Sequence, residues 1–387
     1  MTASVELGVA AINLGMAWQL LQHFGTETFS DYLSIASLVG VFSIPSMGVQ
    51  NTLAIITASQ FSSIQLTKRS KASINVPTFT LIVVAVWLAL GPIASKALLV
   101  GISDIWFGSP LVLATVLLAA GSGFLQGSGA VIEWRLLILA TTTLQVPIVL
   151  LIRFFNLTLS NYLLLASLPS LVYVLVINRK SENFRPILQS SKVSLSNIAW
   201  PIQLATSSSL LILLNGVLFD DKSHDFVIYL YIFNFVTTVA TTFGSNSFAR
   251  LFRSHSRLTR NLFIQALVGL MPLITGLALI LLRSGYISRI QLFTESDSIS
   301  NSAILALTAS AGVWSLLGFY LYSRIELFGL RFALIGFGVL SLEVYLIFSL
   351  GLRGEYAIWL HSICGIVQLF VAIVHIYADK SFSQAAS

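Results

Sequence analysis

The stretch LRFALIGFGVLSLEVYLIFSL, from Leu330 to Leu350, carries only two charged side chains in 21 residues, and runs of this kind recur along the whole chain. A bilayer core about 30 Å thick is crossed by about 20 residues of helix. With no water there to satisfy N–H and C=O groups, a helix is the only open-chain segment that pairs its own backbone. The recurring runs therefore dictate an all-α polytopic membrane protein. Composition agrees, because only 9% of the 387 residues are charged and mean hydropathy is +0.89, against roughly 25% charged in a soluble domain.

Twelve candidate spans follow from the runs: Val5 to Phe24, Tyr32 to Ala58, Phe79 to Leu98, Pro110 to Gln126, Leu136 to Ile152, Tyr162 to Ile177, Ala199 to Phe219, Phe226 to Phe248, Leu262 to Leu282, Ala303 to Tyr322, Leu330 to Leu350 and Tyr356 to Tyr377. The fourth to sixth are short, so ten spans is the alternative count. The start, MTASVELGVA, lacks a basic n-region, and the first run is expected to stay as a helix. With both termini in the cytoplasm, fifteen of the 21 Lys and Arg residues fall in inside segments and most acids fall outside, as the positive-inside bias requires. That bias accounts for the net charge of +6 without nucleic acid as a partner.

The polar stretch Asn178 to Asn197 lies at the midpoint. It divides the chain into an N-terminal half (1–180), a cytoplasmic linker (181–198) and a C-terminal half (199–387), six helices each around a central cavity. Each half opens with a helix pair joined by a short acidic loop, FGTETFSDY and FDDKSHDF, and continues into a small, polar segment, SMGVQNTLA and TFGSNSFA. Two like halves are a common transporter plan.

The segments HFGTETFSDYLSIASLVGVFSIPSMGVQNTL (His23 to Leu53) and GSGFLQGSGAVIEWRLLILATTTLQVPIVLLI (Gly121 to Ile152), with the glycine-bearing loop and helix at Gly351 to Phe370, resemble the polysaccharide-transport branch of the multidrug/oligosaccharidyl-lipid/polysaccharide exporter superfamily. The resemblance implies a flippase of O-antigen or capsule repeat units in the bacterial inner membrane. Its substrate would be a polyprenyl-pyrophosphate-linked glycan carried from the cytoplasmic to the outer leaflet, with membrane lipids and polysaccharide assembly enzymes as further partners and no cofactor. Three features depart from the family: the chain is short, it has no extra pair of C-terminal helices, and its first helix lacks buried basic residues.

Arg250, Arg253, Arg257 and Arg260 are spaced three, four and three apart. On a helix they fill one arc of about 80°. Guanidinium forks take phosphate oxygens bidentately, so the stripe suits a pyrophosphate at the cytoplasmic mouth. The competing reading is an anchor on anionic lipids, which also fits Lys68, Arg69 and Lys71. Glu343 lies well inside the eleventh run, where an ionised carboxylate costs about 2.5–3.5 kcal/mol. It is either a coupling group or one end of an interhelical hydrogen bond. Glu6 is a weaker coupling candidate, close enough to the interface to snorkel.

Asn13, Gln19, Gln50, Asn51, Asn215, Asn234 and Asn246 are neutral polar residues in the helices that open each half, as is Gln265 in the ninth run. They can bond sugar hydroxyls in a cavity or join helices to one another. Pro45 with Gly48, and Pro201, can kink their helices. GSGFLQGSG lacks the spacing of a nucleotide loop, and Gly123 and Gly127 fit close helix packing instead. Cys364 has no second cysteine, and the histidines 23, 224, 255, 361 and 375 show no metal-ligand spacing.

Three function classes remain. A flippase needs no covalent chemistry and suits short loops. A membrane polymerase or glycosyltransferase needs placed acids on a sizeable outer loop, and the longest, Arg283 to Ser302, offers only Glu295 and Asp297. A cation-coupled drug exporter needs carboxylates in the first half's cavity, where Glu6 stands alone.

Overall fold

The computed structural model describes residues 2–43, 73–190, 192–194, 258–283, 300–323 and 330–385, with scattered positions between 46 and 57 and between 199 and 233. The chain forms two compact units, Met1–Ala205 and Thr206–Ser387. Seven helical segments among the described residues are long and apolar enough to cross a membrane.

In the first unit, α1 runs from Thr2 to Ser43 and is broken only at Gly25, whose φ of 74° and ψ of 174° leave the helical region. The acidic loop expected at FGTETFSDY is therefore a kink followed by helix. Ser30 donates to the Glu27 carbonyl at 2.9 Å and Ser34 to the Ser30 carbonyl at 2.9 Å, so the polar residues bond back along the helix.

After the short strand β1 (Ser73–Asn75), α2 spans Val76–Leu98. The next three spans are jointed: α3 (Ile102–Phe107) with α4 (Ser109–Gly127), α5 (Val131–Thr143) with α6 (Gln145–Phe155), and α7 (Leu159–Ala166) with α8 (Leu168–Lys180). Each joint lies two or three residues before a proline, Pro110, Pro147 or Pro169, which lacks the N–H that would continue the ladder. These are the spans that looked short in the sequence. With both pieces joined, each is long and apolar enough to cross.

Helix α9 (Phe184–Ser190) and strand β2 (Lys192–Ser194) close the unit. The strand pairs antiparallel with β1, setting Ile74 against Val193. This ribbon is the one departure from an all-helical fold among the described residues. It draws the polar stretch read as a linker into the first unit.

Trp87 anchors the core of that unit. It is fully buried, donates from Nε1 to the Ile105 carbonyl at 2.9 Å, and meets Phe42 edge-on at 5.2 Å. Tyr162 on α7 packs edge-on against Phe24 and Tyr32, which lie on either side of the Gly25 break. Helix α4 brings Gly123 and Gly127 against the Gln50 and Ala54 carbonyls, closer than any β-carbon permits. The glycines thus serve close packing. Phe154, Leu81 and Ile93 are among the apolar side chains that face outward, as a lipid-facing surface requires.

The second unit contains α10 (Leu258–Arg283), α11 (Asn301–Ser323), α12 (Leu330–Leu350) and α13 (Glu355–Ala385). Helix α11 packs against both α10 and α13 and is the most buried span, whereas α12 turns most of its surface outward. Leu211, Tyr229, Phe233, Ile304, Leu307 and Ile358 belong to its core. The α12–α13 turn uses Gly351 at φ 59°, and Leu352 N–H returns to the Ile347 carbonyl at 3.0 Å, a helix-ending bond that needs a left-handed residue.

Candidate functional site

Helix α12 carries Glu343 on the one face it turns inward, together with Phe332, Gly336, Leu340 and Ile347. These positions recur every three to four residues, so the stripe that packs the helix fixes where the carboxylate points. Glu343 is fully excluded from solvent. Its Oε1 lies 2.6 Å from Nδ1 of His361 on α13, itself 1% exposed. A contact this short between two buried polar groups is a close hydrogen bond.

The surroundings are aromatic and apolar. The Trp314 indole from α11 stacks on the His361 ring, with centroids 4.9 Å apart and planes 23° from parallel. Gly365, one turn beyond His361, makes room for it: a β-carbon there would come within 3.3 Å of Trp314 Nε1 and 2.9 Å of Val313. The Cys364 thiol lies against Glu343. The second carboxylate oxygen, Oε2, has no hydrogen-bond partner among the described residues. Such an atom is costly in a low-dielectric interior, and the arrangement can hold or release a proton. Among the described residues, no group of three or more His, Cys, Asp or Glu side chains is arranged to hold a metal ion.

Of the residues singled out in the sequence, Glu343 is brought into a buried polar cluster, and Gln19 accepts from Arg153 Nη1 at 2.6 Å on the exposed surface of the first unit. Asn13 and Gln50 are half-buried in the first unit. Glu6 lies in the first turns of α1, and Arg260 in the first turn of α10. Asn51, Asn215, Asn234, Asn246, Arg250, Arg253 and Arg257 lie outside the described residues, as do Pro45, Gly48 and Pro201.

Sequence reasoning missed His361 and Trp314 as members of the cluster and read Cys364 as packing. A signal for His361 was present. Glu343 and His361 lie nine residues either side of Leu352, in the turn, so an antiparallel hairpin must set them at one depth, roughly 14 Å from its tip.

Comparison with solved structures gives the class of fold. The chain aligns over 98% of its length, and 96% of the other, with an inward-facing multidrug resistance MATE family transporter of the MOP superfamily, at TM-score 0.55 and 13% identity. A MATE in complex with MaD3S aligns over 97% and 94% at TM-score 0.59 and 16% identity. The MATE multidrug transporter DinF-BH aligns over 98% and 94% at 0.52 and 12%. No family model and no curated protein sequence matches the chain. The protein is thus an integral membrane protein with the fold of MATE transporters. At these identities the likeness is one of fold alone.

Proposed function

We propose that the chain is a secondary transporter that carries a polyprenyl-pyrophosphate-linked oligosaccharide from the cytoplasmic to the outer leaflet of the bacterial inner membrane by alternating access. The observation that carries it is the end-to-end fold shared with transporters. In this reading the six-helix halves, 1–180 and 199–387, alternate about the 181–198 segment, with both termini in the cytoplasm. Arg250, Arg253, Arg257 and Arg260 hold the pyrophosphate. Asn13, Gln50, Asn51, Asn215, Asn234 and Asn246 meet sugar hydroxyls, and Glu343, with Glu6 as the lesser candidate, couples the cycle to a cation. Polysaccharide assembly enzymes supply and consume the glycan.

The second reading is a cation-coupled exporter of small molecules. The fold supports it equally, since the neighbours are multidrug transporters. Sugar hydroxyls call for neutral polar side chains, of which Ser30, Ser34, Thr80, Ser122, Ser170 and Gln203 are buried in the first unit, whereas an organic cation calls for a buried carboxylate, of which Glu343 is one in the second unit.

Deletion of the gene in its native host, with lipid-linked intermediates assigned to their leaflet, separates the readings. Complete repeat units held on the cytoplasmic side are expected. Unpolymerised units on the outer side would mean a polymerase. An unchanged glycan pool with raised retention of cationic dyes would mean an exporter.

A further inference from the structure

We propose that Glu343 and His361 form a proton-binding site, selective for the proton over sodium, and that the buried pair is its loaded form. The proposal rests on the transporter reading only for its consequence, that a proton drives the cycle. Binding itself is a property of the α12–α13 hairpin.

The argument starts from charge. His361 Nδ1 faces Glu343 Oε1 at 2.6 Å. A carboxylate only accepts, so with Glu343 ionised the imidazole donates. With His361 neutral, the pair then carries one net negative charge inside the spanning helices. The other titratable or charged groups on the packed helices are Tyr320 and Tyr322 on α11, Arg331 and Tyr345 on α12, and Glu355, Tyr356, Cys364, His375, Tyr377, Asp379 and Lys380 on α13. Arg331 lies at the far end of α12, Glu355 accepts from Ser300 at the hairpin tip, and Tyr345 and Tyr356 face outward. Only the Cys364 thiol is described against the carboxylate, and a thiol brings no positive charge.

One proton from water, added at His361 Nε2 or at Glu343 Oε2, takes the pair from −1 to 0. Its release restores −1. Of these two acceptors, Oε2 is buried without a hydrogen-bond partner among the described residues, and the His361 ring lies stacked against the Trp314 indole. The fully buried pair is therefore the neutral, loaded form, and unloading requires the hairpin to admit water.

The side chains described around the pair suit a proton better than sodium. Hard cations gather several oxygen ligands. Around Glu343 stand an imidazole, a thiol and the indole stacked on that imidazole, so the carboxylate is the only oxygen donor among these side chains.

The test uses the full chain in lipid nanodiscs without substrate. Infrared difference spectra between about pH 5 and pH 8, the range in which histidine changes charge, should show a carboxyl or imidazole signal that is lost in Glu343→Gln, altered in His361→Asn and unmoved by sodium at constant pH. A spectrum unchanged in Glu343→Gln, or a saturable sodium response lost in that variant, overturns the proposal. If Glu343→Gln does not fold, Glu343→Asp keeps a carboxyl one methylene shorter and must shift the titration midpoint; an unshifted midpoint overturns the proposal equally. In proteoliposomes the two readings part. A Glu343-dependent proton signal without any transport sinks the transporter and leaves the site, whereas transport driven by sodium alone, with no such signal, sinks the site and leaves the transporter.

Discussion

The main-chain carbonyl oxygen of Gln50 lies 2.2 Å from where a β-carbon of Gly123 would be. The obstacle is backbone, which cannot rotate aside as a side chain can. Gly123→Ala should therefore destabilise the first unit at the upper end of the roughly 1–3 kcal/mol typical of overpacking. Gly338→Ala, on α12 with nothing within 4 Å, should gain up to about 1 kcal/mol from helix propensity. Thermal unfolding in detergent compares the two, and equal midpoints would mean that α4 does not touch the segment at Gln50.

Gly25 offers a different test, since open space surrounds it. Its φ of 74° and ψ of 174° fall in a region that is essentially glycine-only, so Gly25→Ala should cost about 1–3 kcal/mol through backbone strain alone. Gly40→Ala on the same helix, also in open space, is the control. The two melting curves should separate, and superimposed curves would mean that α1 is not kinked at Gly25.

A double-mutant cycle of Glu343→Gln with His361→Asn measures the buried pair. Hydrogen bonds inside membrane proteins couple by about 0.6 kcal/mol on average and about 1.7 at most. A fully buried contact of 2.6 Å should lie at or above the top of that range. Coupling indistinguishable from zero in reversible unfolding would show that the two side chains do not meet in a bilayer.

The arginine stripe is tested by pairs. On the transporter reading, Arg250→Ala with Arg253→Ala should weaken apparent substrate affinity roughly tenfold or more, as the loss of charge-assisted bonds implies. Arg257→Ala with Arg260→Ala, further from the proposed mouth, should do less. Equal, small effects in both pairs would assign the stripe to lipid anchoring.

Some of this fold can be read directly from the sequence. The ends of α12 coincide with the apolar run Leu330 to Leu350, because Gly351 can take the left-handed φ that stops a helix. The kink at Gly25 was harder. FGTETFSDY is hydrophilic enough to suggest a loop, yet its hydroxyls bond within the helix and only the glycine departs. His361 escaped because its partner is not one turn away but across a hairpin, and helical spacing carries no information about that contact. The β1–β2 ribbon lies beyond local reading altogether, since three-residue strands show no alternation and their pairing joins distant parts of the chain.

That ribbon also sets a timetable. Ser73 pairs with Ser194, about 120 residues later. At about 5–20 residues per second of synthesis, β1 waits roughly 6 to 24 s for its partner to be made. Helices α2 to α8 are synthesised during that interval. The ribbon is thus a clasp that can shut only once every residue between its strands has been made, so the order of translation sets the earliest moment at which that unit becomes complete.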